Sequence, residues 1–178
     1  MKIKPKIKTS KLETNPLFIK FLNWKGDKNY IETLLTNLSN NFEEESDKKI
    51  IKDKLSNLTD DFLNSLSDFQ KRFKAYVNDL ISSKTISEEF LLWLDNTFKY
   101  VEEKVETYIN DEIRKIKIKS PEGRWFEAIC CYNFIMTFNY FGLNIIKTCP
   151  VCYSYFSNKG KYARYCSNSC KEIGMKKG

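Results

Sequence analysis

Apolar residues recur every three or four positions over much of this 178-residue chain, which is the spacing of one face of an α-helix. The longest such run spans about eight helical turns and comprises Ile51, Leu55, Leu58, Phe62, Leu66, Phe69, Phe73, Tyr76 and Leu80. Thr59 and Asp60 interrupt it, so the pattern predicts one long helix or two helices that share a buried face. Packing within a helical bundle is favoured over coiled-coil pairing.

Shorter patterns predict helices on both sides of this run. An apolar cluster at residues 17–24 indicates a short helix that ends at Gly26, and Asp27 is a suitable N-cap for the next helix. That second helix is expected to bury Ile31, Leu34, Leu35, Leu38 and Phe42. Thr85 and Glu88 form a capping-box pattern. The helix they predict carries inward Leu91, Leu94, Phe98, Val101, Val105 and Tyr108.

Two segments alternate apolar and basic residues, as β-strands do. One lies at residues 113–118 and the other at residues 1–8, where Pro5 would restrict it to an edge. The alternation predicts one short β-hairpin made by these two segments. A disordered basic arm is the alternative for the N-terminal segment.

The segment 125–146 is apolar on nearly all sides, with Glu127 as its one charged residue. It is long enough to cross a bilayer, but its three asparagines would be costly in lipid. We therefore expect a central buried helix that starts near Ser120 and Pro121 and ends at Gly142. Two cysteines inside it, Cys130 and Cys131, are expected to be small core residues.

The net charge of +7 is unevenly distributed. Residues 1–11 contain five lysines and no acid, and residues 147–178 contain seven basic side chains against Glu172 alone. The two ends are therefore basic around an acidic body. Such asymmetry suggests a surface for a polyanion, although solubility tails would have the same composition.

Histidine is absent from the chain, which excludes Ser-His-Asp and Cys-His catalysis and any zinc site with imidazole ligands. The N-terminal residues lack the apolar core of a secretion signal. The reducing cytoplasm is therefore the expected compartment, and there paired cysteines bind metal more often than they form disulfides.

Four of the six cysteines form two close pairs, Cys149 with Cys152 and Cys166 with Cys170, separated by thirteen residues. A C-x2-C turn presents two thiolates to one metal, and the first turn of a helix can present two more. The pattern predicts one structural Zn²⁺; two disulfides or an iron–sulfur cluster are the alternatives. Four cysteine ligands leave no open position for catalysis by the metal.

Residues 153–165, between the cysteine pairs, resemble a short hairpin with a turn at residues 157–160. Its tyrosines and Phe156 are expected to form a small core. Knuckle, hairpin and ligand-bearing helix together predict a treble-clef-like zinc finger. The basic side chains of this segment are the candidate nucleic-acid contacts, namely Lys159, Lys161, Arg164, Lys171, Lys176 and Lys177.

The order of a helical body and this C-terminal segment resembles the CGNR zinc-finger proteins, bacterial proteins with an α-rich ABATE domain. The resemblance is carried by Cys149, Cys152, Phe156, Arg164, Tyr165, Cys166, Ser167 and Cys170. The family's name-giving Cys-Gly-Asn-Arg is Cys-Lys-Glu-Ile here, from Cys170 to Ile173. What the resemblance implies is a DNA-binding transcriptional regulator.

The sequence thus predicts a mainly α-helical protein with a body at residues 1–146 and a zinc-finger module at residues 147–178. The expected function is binding of nucleic acid, DNA foremost, with a body that senses a signal or forms a homodimer. The alternative is a protein-interaction or inhibitor module in which zinc is purely structural. No constellation of catalytic residues is visible, so an enzyme is not expected, and neither is a membrane partner.

Overall fold

Helices make up most of the computed structural model, which describes residues 16–42, 44–108, 111–119, 124–142, 146–157 and 163–176. Within these residues the elements are, in order, α1 (Leu17–Leu22), α2 (Lys28–Asn41), α3 (Glu45–Ser56), α4 (Asp60–Ser83), α5 (Glu88–Phe98), β1 (Val101–Tyr108), β2 (Asp111–Ile118), α6 (Trp125–Phe141), β3 (Ile146–Thr148), β4 (Tyr155–Ser157) and α7 (Asn168–Lys176). The predicted fold class, mainly helical with a small β-hairpin, is confirmed. The strand predicted at residues 113–118 lies in β2, but its partner in the described residues is β1, whereas the predicted pairing with residues 1–8 lies outside them.

Short polar side chains set the helix boundaries. The Asp27 carboxylate accepts a hydrogen bond from the backbone N–H of Asn29 at the start of α2, as predicted. Thr59 accepts from the N–H of Phe62, so the long apolar run is divided into α3 and α4. The predicted capping box at Thr85 is wrong. The N-cap of α5 is Ser87, whose hydroxyl accepts a hydrogen bond from the backbone N–H of Phe90, three residues later.

The helix predicted to continue to Tyr108 is also wrong. It ends at Phe98, and β1 pairs antiparallel with β2, with Val101 opposite Ile118 and Tyr108 opposite Asp111. The valines at 101 and 105 fit a helical spacing, but a neighbouring strand offers ladder hydrogen bonds that override this local preference. The predicted strand at residues 1–8 lies outside the described residues.

An aromatic core joins α1, α4, α5 and α6. The Phe134 ring on α6 contacts Phe18 and Phe73 with ring centroids 5.4 and 5.5 Å apart, and Phe90 of α5 lies 5.6 Å from it. The core residues of α6 include Cys130 and Cys131, which are fully buried as predicted. Burial raises the pKa of both thiols well above the usual value, so neither is a reactive thiolate.

Glu127 is a buried carboxylate in the first turn of α6, paired with the guanidinium of Arg124. Burial raises its pKa, and Arg124 opposes that shift. Among the described residues, no helix has the length and apolar character needed to cross a bilayer. Burial of α6 side chains such as Trp125 and Phe134 confirms the interpretation of this segment as a buried core helix. The helix begins at Trp125, and its predicted start at Ser120 and Pro121 lies outside the described residues.

Gln70 of α4 fixes the end of α1. Its side-chain amide is buried and donates to the carbonyl oxygens of Phe21 at 2.6 Å and Trp24 at 2.8 Å. These are carbonyls at a helix C-terminus, which would otherwise lack partners. Gln70 thereby fixes the segment between them, which includes Asn23, a residue that contacts the cysteine-rich segment described below.

Candidate metal centre

The sulfur atoms of Cys149, Cys152, Cys166 and Cys170 all lie within 4.8 Å of one another. The Sγ atoms of Cys152 and Cys166 are 3.4 Å apart, and those of Cys166 and Cys170 are 3.6 Å apart. A tetrahedral Zn²⁺ with Zn–S bonds of about 2.3 Å separates its sulfurs by about 3.8 Å, whereas a disulfide bond is about 2.0 Å long. All four thiols are free, so their spacing suits a shared cation.

The first cysteine pair lies in a tight turn. The N–H of Tyr153 donates to the carbonyl of Cys149, and the N–H of Cys149 donates to the carbonyl of Ser154, both at 2.9 Å. Strands β3 and β4 flank this turn and pair antiparallel, with Ile146 opposite Ser157. The hairpin therefore encloses the C-x2-C turn. The sequence analysis predicted the hairpin at a different place, between the two cysteine pairs. The turn predicted for it at residues 157–160 lies almost wholly outside the described residues.

The second cysteine pair is presented by the start of α7. Cys166 precedes the helix and Cys170 is its third residue, as the spacing predicted. The Ser167 hydroxyl accepts a hydrogen bond from the N–H of Cys170 at 3.2 Å, as an N-cap does. The partial positive charge of a helix N-terminus stabilises thiolates placed there.

The thiols of Cys149 and Cys166 have pKa values shifted in opposite directions. Burial would raise the pKa of Cys149, but hydrogen bonds from the backbone amides of Cys152, Cys166 and Val151 outweigh it and lower the pKa to about 6. Burial and the neighbouring sulfurs raise the pKa of Cys166 to about 12. A bound metal cation would supply the missing positive charge, and its binding would release protons.

The helical body holds the hairpin in place. The side-chain amide of Asn23 donates to the carbonyl of Tyr155 at 2.8 Å, and its Oδ1 accepts from the Tyr155 N–H at 2.9 Å. The Tyr155 hydroxyl and Asn78 Oδ1 on α4 are hydrogen-bonded at 2.9 Å. Ile146 and Tyr155 are buried in the same core as the helices. The cysteine turn is thus fixed to the body through Tyr155, by hydrogen bonds to its backbone and to its hydroxyl.

The α7 side of the centre closes against Tyr165. This ring covers the helix at Gly174, where a Cβ atom would lie 2.7 Å from the Tyr165 Cζ and Oη atoms. Lys147 of β3 donates to the carbonyl of Ala163 at 3.3 Å and so links the two halves. Helix α7 has no buried residue of its own. Its position therefore depends on the sulfur cluster and on this ring contact.

Three predicted nucleic-acid contacts, Arg164, Lys171 and Lys176, are exposed, and the others (Lys159, Lys161 and Lys177) lie outside the described residues. The sequence did not reveal the role of Asn23, because its partner is 132 residues away. It also assigned Tyr153 to the small core of the hairpin, whereas this side chain is 77% exposed. Sequence reasoning did not recognise that the turn after Cys152 requires a positive φ at Tyr153.

No protein-family model matches the chain, and no curated protein shows significant similarity to it. The resemblance to CGNR proteins therefore stays a prediction. The arrangement itself defines a four-sulfur centre, able to hold one metal ion, at the C-terminal end of a helical protein.

Proposed function

We propose that this chain binds nucleic acid, DNA foremost, through a basic module that one structural Zn²⁺ organises. The observation that carries the proposal is the exposure of Arg164, Lys171 and Lys176 around a four-cysteine centre. Thiolates select Zn²⁺ among the common divalent ions, and four of them close its coordination shell. The metal would then stabilise the fold of a binding surface and would not take part in catalysis, so we propose no enzyme activity.

The basic side chains Arg164 and Lys171 lie close in sequence to cysteines that would bind the metal. Arg164 is two residues before Cys166 and lies over the Tyr165 ring at 5.8 Å, while Lys171 follows Cys170 directly. In the described residues these cations belong to no ion pair. Exposed cations outside ion pairs are suited to phosphate contacts. We propose that the protein regulates transcription in the cytoplasm, where the thiols stay reduced.

Salt dependence tests this proposal. Anisotropy of a fluorescent DNA duplex and of a single strand is measured between 50 and 200 mM salt, a range over which six to ten phosphate contacts cost about 10³–10⁵ in affinity. Replacing Arg164, Lys171 and Lys176 together by alanine should weaken binding and flatten the slope of log K against log salt by about 3. Lys52→Ala on α3 is the control, because this exposed lysine belongs to the helical body.

Two outcomes would refute the proposal. One is that the wild-type protein binds neither form of DNA at 50 mM salt. The other is that the triple variant binds as tightly as Lys52→Ala. Less than one zinc per freshly purified chain, measured by elemental analysis, would refute the metal assignment separately.

A protein-interaction function is the second candidate, and one observation favours it. Leu91 and Leu92 on α5 are 51% and 60% exposed, side by side on the surface of the body. An apolar pair of this kind is suited to a second copy of the chain or to another protein. Sedimentation velocity of Leu91→Lys would separate the cases, because only a homodimer would lose mass with this change.

A further inference from the structure

Tyr153 follows Cys152 with a backbone φ of +58°, in the left-handed region. This conformation brings the Cβ atom of an L-residue close to a backbone carbonyl, so bulky residues rarely adopt it and glycine adopts it freely. The turn imposes it, because the N–H of Tyr153 and the carbonyl of Ser154 are both bonded to Cys149. For folding alone, glycine would be the better residue here.

In the part of the chain that the structure describes, no contact explains the presence of the Tyr153 side chain. It is 77% exposed, and within the described residues it makes no hydrogen bond and no ring contact. A strained residue that the fold does not need indicates a function outside the fold. We propose that the Tyr153 ring is a binding contact that stacks on an unpaired base of a nucleic acid.

The surroundings of the ring favour nucleic acid as the partner. The 3.4 Å contact between the sulfurs of Cys152 and Cys166 places the Tyr153 turn beside the segment that carries Arg164. The 3.6 Å contact between Cys166 and Cys170 does the same for the start of α7 and Lys171. Aromatic rings interleaved with cations are the usual surface for single-stranded nucleic acid, since the cations contact phosphates and the rings stack on bases.

The stacking partner has to be unpaired. In a duplex, both faces of each internal base are covered by its neighbours, so an external ring reaches only flipped, terminal or single-stranded bases. This inference rests on the proposed nucleic-acid function and narrows it to single-stranded or locally opened DNA. Arg164 and Lys171 would give affinity for phosphate, and Tyr153 would give the preference for unpaired bases.

The test compares Tyr153→Gly and Tyr153→Phe on a fluorescent 20-nucleotide single strand, on its duplex, and on a 20-nucleotide strand that lacks bases. Tyr153→Gly should keep its zinc and its thermal midpoint or raise the latter, since glycine relieves the strained φ. Its affinity for the single strand should fall about 5- to 150-fold, the range for loss of one stacked base. Its salt slope should not change, because no phosphate contact is removed.

Tyr153→Phe is the matched control, since it keeps the ring and loses only the hydroxyl. We expect its affinity for the single strand to lie within about twofold of wild type. Loss of stacking would cause a much larger change. On the strand without bases, wild type and Tyr153→Gly should bind equally. Preference of the wild type for the base-bearing strand over the duplex completes the expected pattern.

The possible failures are distinguishable. If Tyr153→Gly binds the single strand like wild type while Arg164→Ala and Lys171→Ala bind weakly, the stacking contact is refuted and the nucleic-acid function stands. If Tyr153→Phe loses as much affinity as Tyr153→Gly, the hydroxyl makes the contact and stacking is refuted. If Tyr153→Gly loses zinc, the ring is structural. If the wild type binds no strand at 50 mM salt, the proposed function itself fails.

Discussion

Gly174 has no side chain, and this allows α7 to pack against Tyr165 beside the candidate metal centre. Gly174 lies one helical turn after Cys170, and the Tyr165 ring occupies the space that a Cβ atom would need. We predict that Gly174→Ala destabilises the protein by about 1–3 kcal/mol, the usual cost of overpacking. This is opposite to the roughly 1 kcal/mol gain expected for Gly→Ala inside a helix. Chemical denaturation of the zinc-loaded protein and zinc competition with a chromophoric chelator measure the effect.

The control for this prediction is the same change in a Tyr165→Ala background. Without the ring, alanine at 174 has room, so Gly174→Ala should then be stabilising, and the double-mutant cycle isolates the clash. A Gly174→Ala protein that is more stable than wild type would show that Tyr165 moves aside without cost and would refute the prediction.

The clustering of the four cysteines could be predicted from the sequence, whereas the exposure of Tyr153 could not. Cys149 and Cys152 are brought together by a turn, and Cys166 and Cys170 by the start of a helix, so their spacing in sequence already encodes their geometry. Exposure of Tyr153 follows instead from the φ that two backbone hydrogen bonds impose. A tyrosine among tyrosines gives no local sign of which ring faces solvent.

The attachment of β4 to the end of α1 transmits the order of the body to the cysteine turn. Asn23 satisfies both the N–H and the carbonyl of Tyr155, as a neighbouring strand would. We predict that Asn23→Ala lowers the free energy of unfolding by about 1–3 kcal/mol, because it leaves these backbone groups without partners. We also expect weaker zinc binding, measured by chelator competition, because the turn at Cys149 and Cys152 would be less ordered before the metal binds.

Asn78→Ala is the matched control for Asn23→Ala. It removes one hydrogen bond from the Tyr155 hydroxyl and leaves the backbone of β4 untouched, so its effect on zinc affinity should be smaller. Equal zinc affinities for wild type and Asn23→Ala would mean that the turn orders itself without the body.

Local patterns predicted most of the helices and the strand at residues 113–118, but not strands β1 and β3, for one physical reason. Helices α2 and α4 form from hydrogen bonds among neighbours in sequence. Their N-cap residues, Asp27 and Thr59, can be recognised in the sequence. Strand β1 exists because β2 pairs with it, and the spacing of Val101 and Val105 also suits a helix. Strand β3 has three residues and needs β4, across the cysteine turn, to be a strand at all.

We expect the cysteine module to depend on a bound metal ion, and the helical body not to. The body has its own aromatic core in α1, α4, α5 and α6, whereas α7 buries no residue and β3–β4 contributes few. Structural zinc contributes on the order of 10–16 kcal/mol to the folding of isolated finger peptides. Removing it should therefore unfold the module and leave the body largely helical, although the two share Ile146 and Tyr155 in one core.

We predict that a strong chelator causes faster amide hydrogen exchange in residues 146–157 and 163–176 and at the end of α1, next to Asn23, and abolishes DNA binding. Helices α4 and α6 should keep their protection, since Phe73 and Phe134 pack there independently of the sulfurs. Hydrogen exchange measured by mass spectrometry follows each segment separately. Readdition of Zn²⁺ under reducing conditions should restore both protection and binding. Loss of protection throughout α4 and α6 would show instead that metal and body fold as one cooperative unit, and the division of labour between an acidic helical body and a basic metal-bound surface would have to be abandoned.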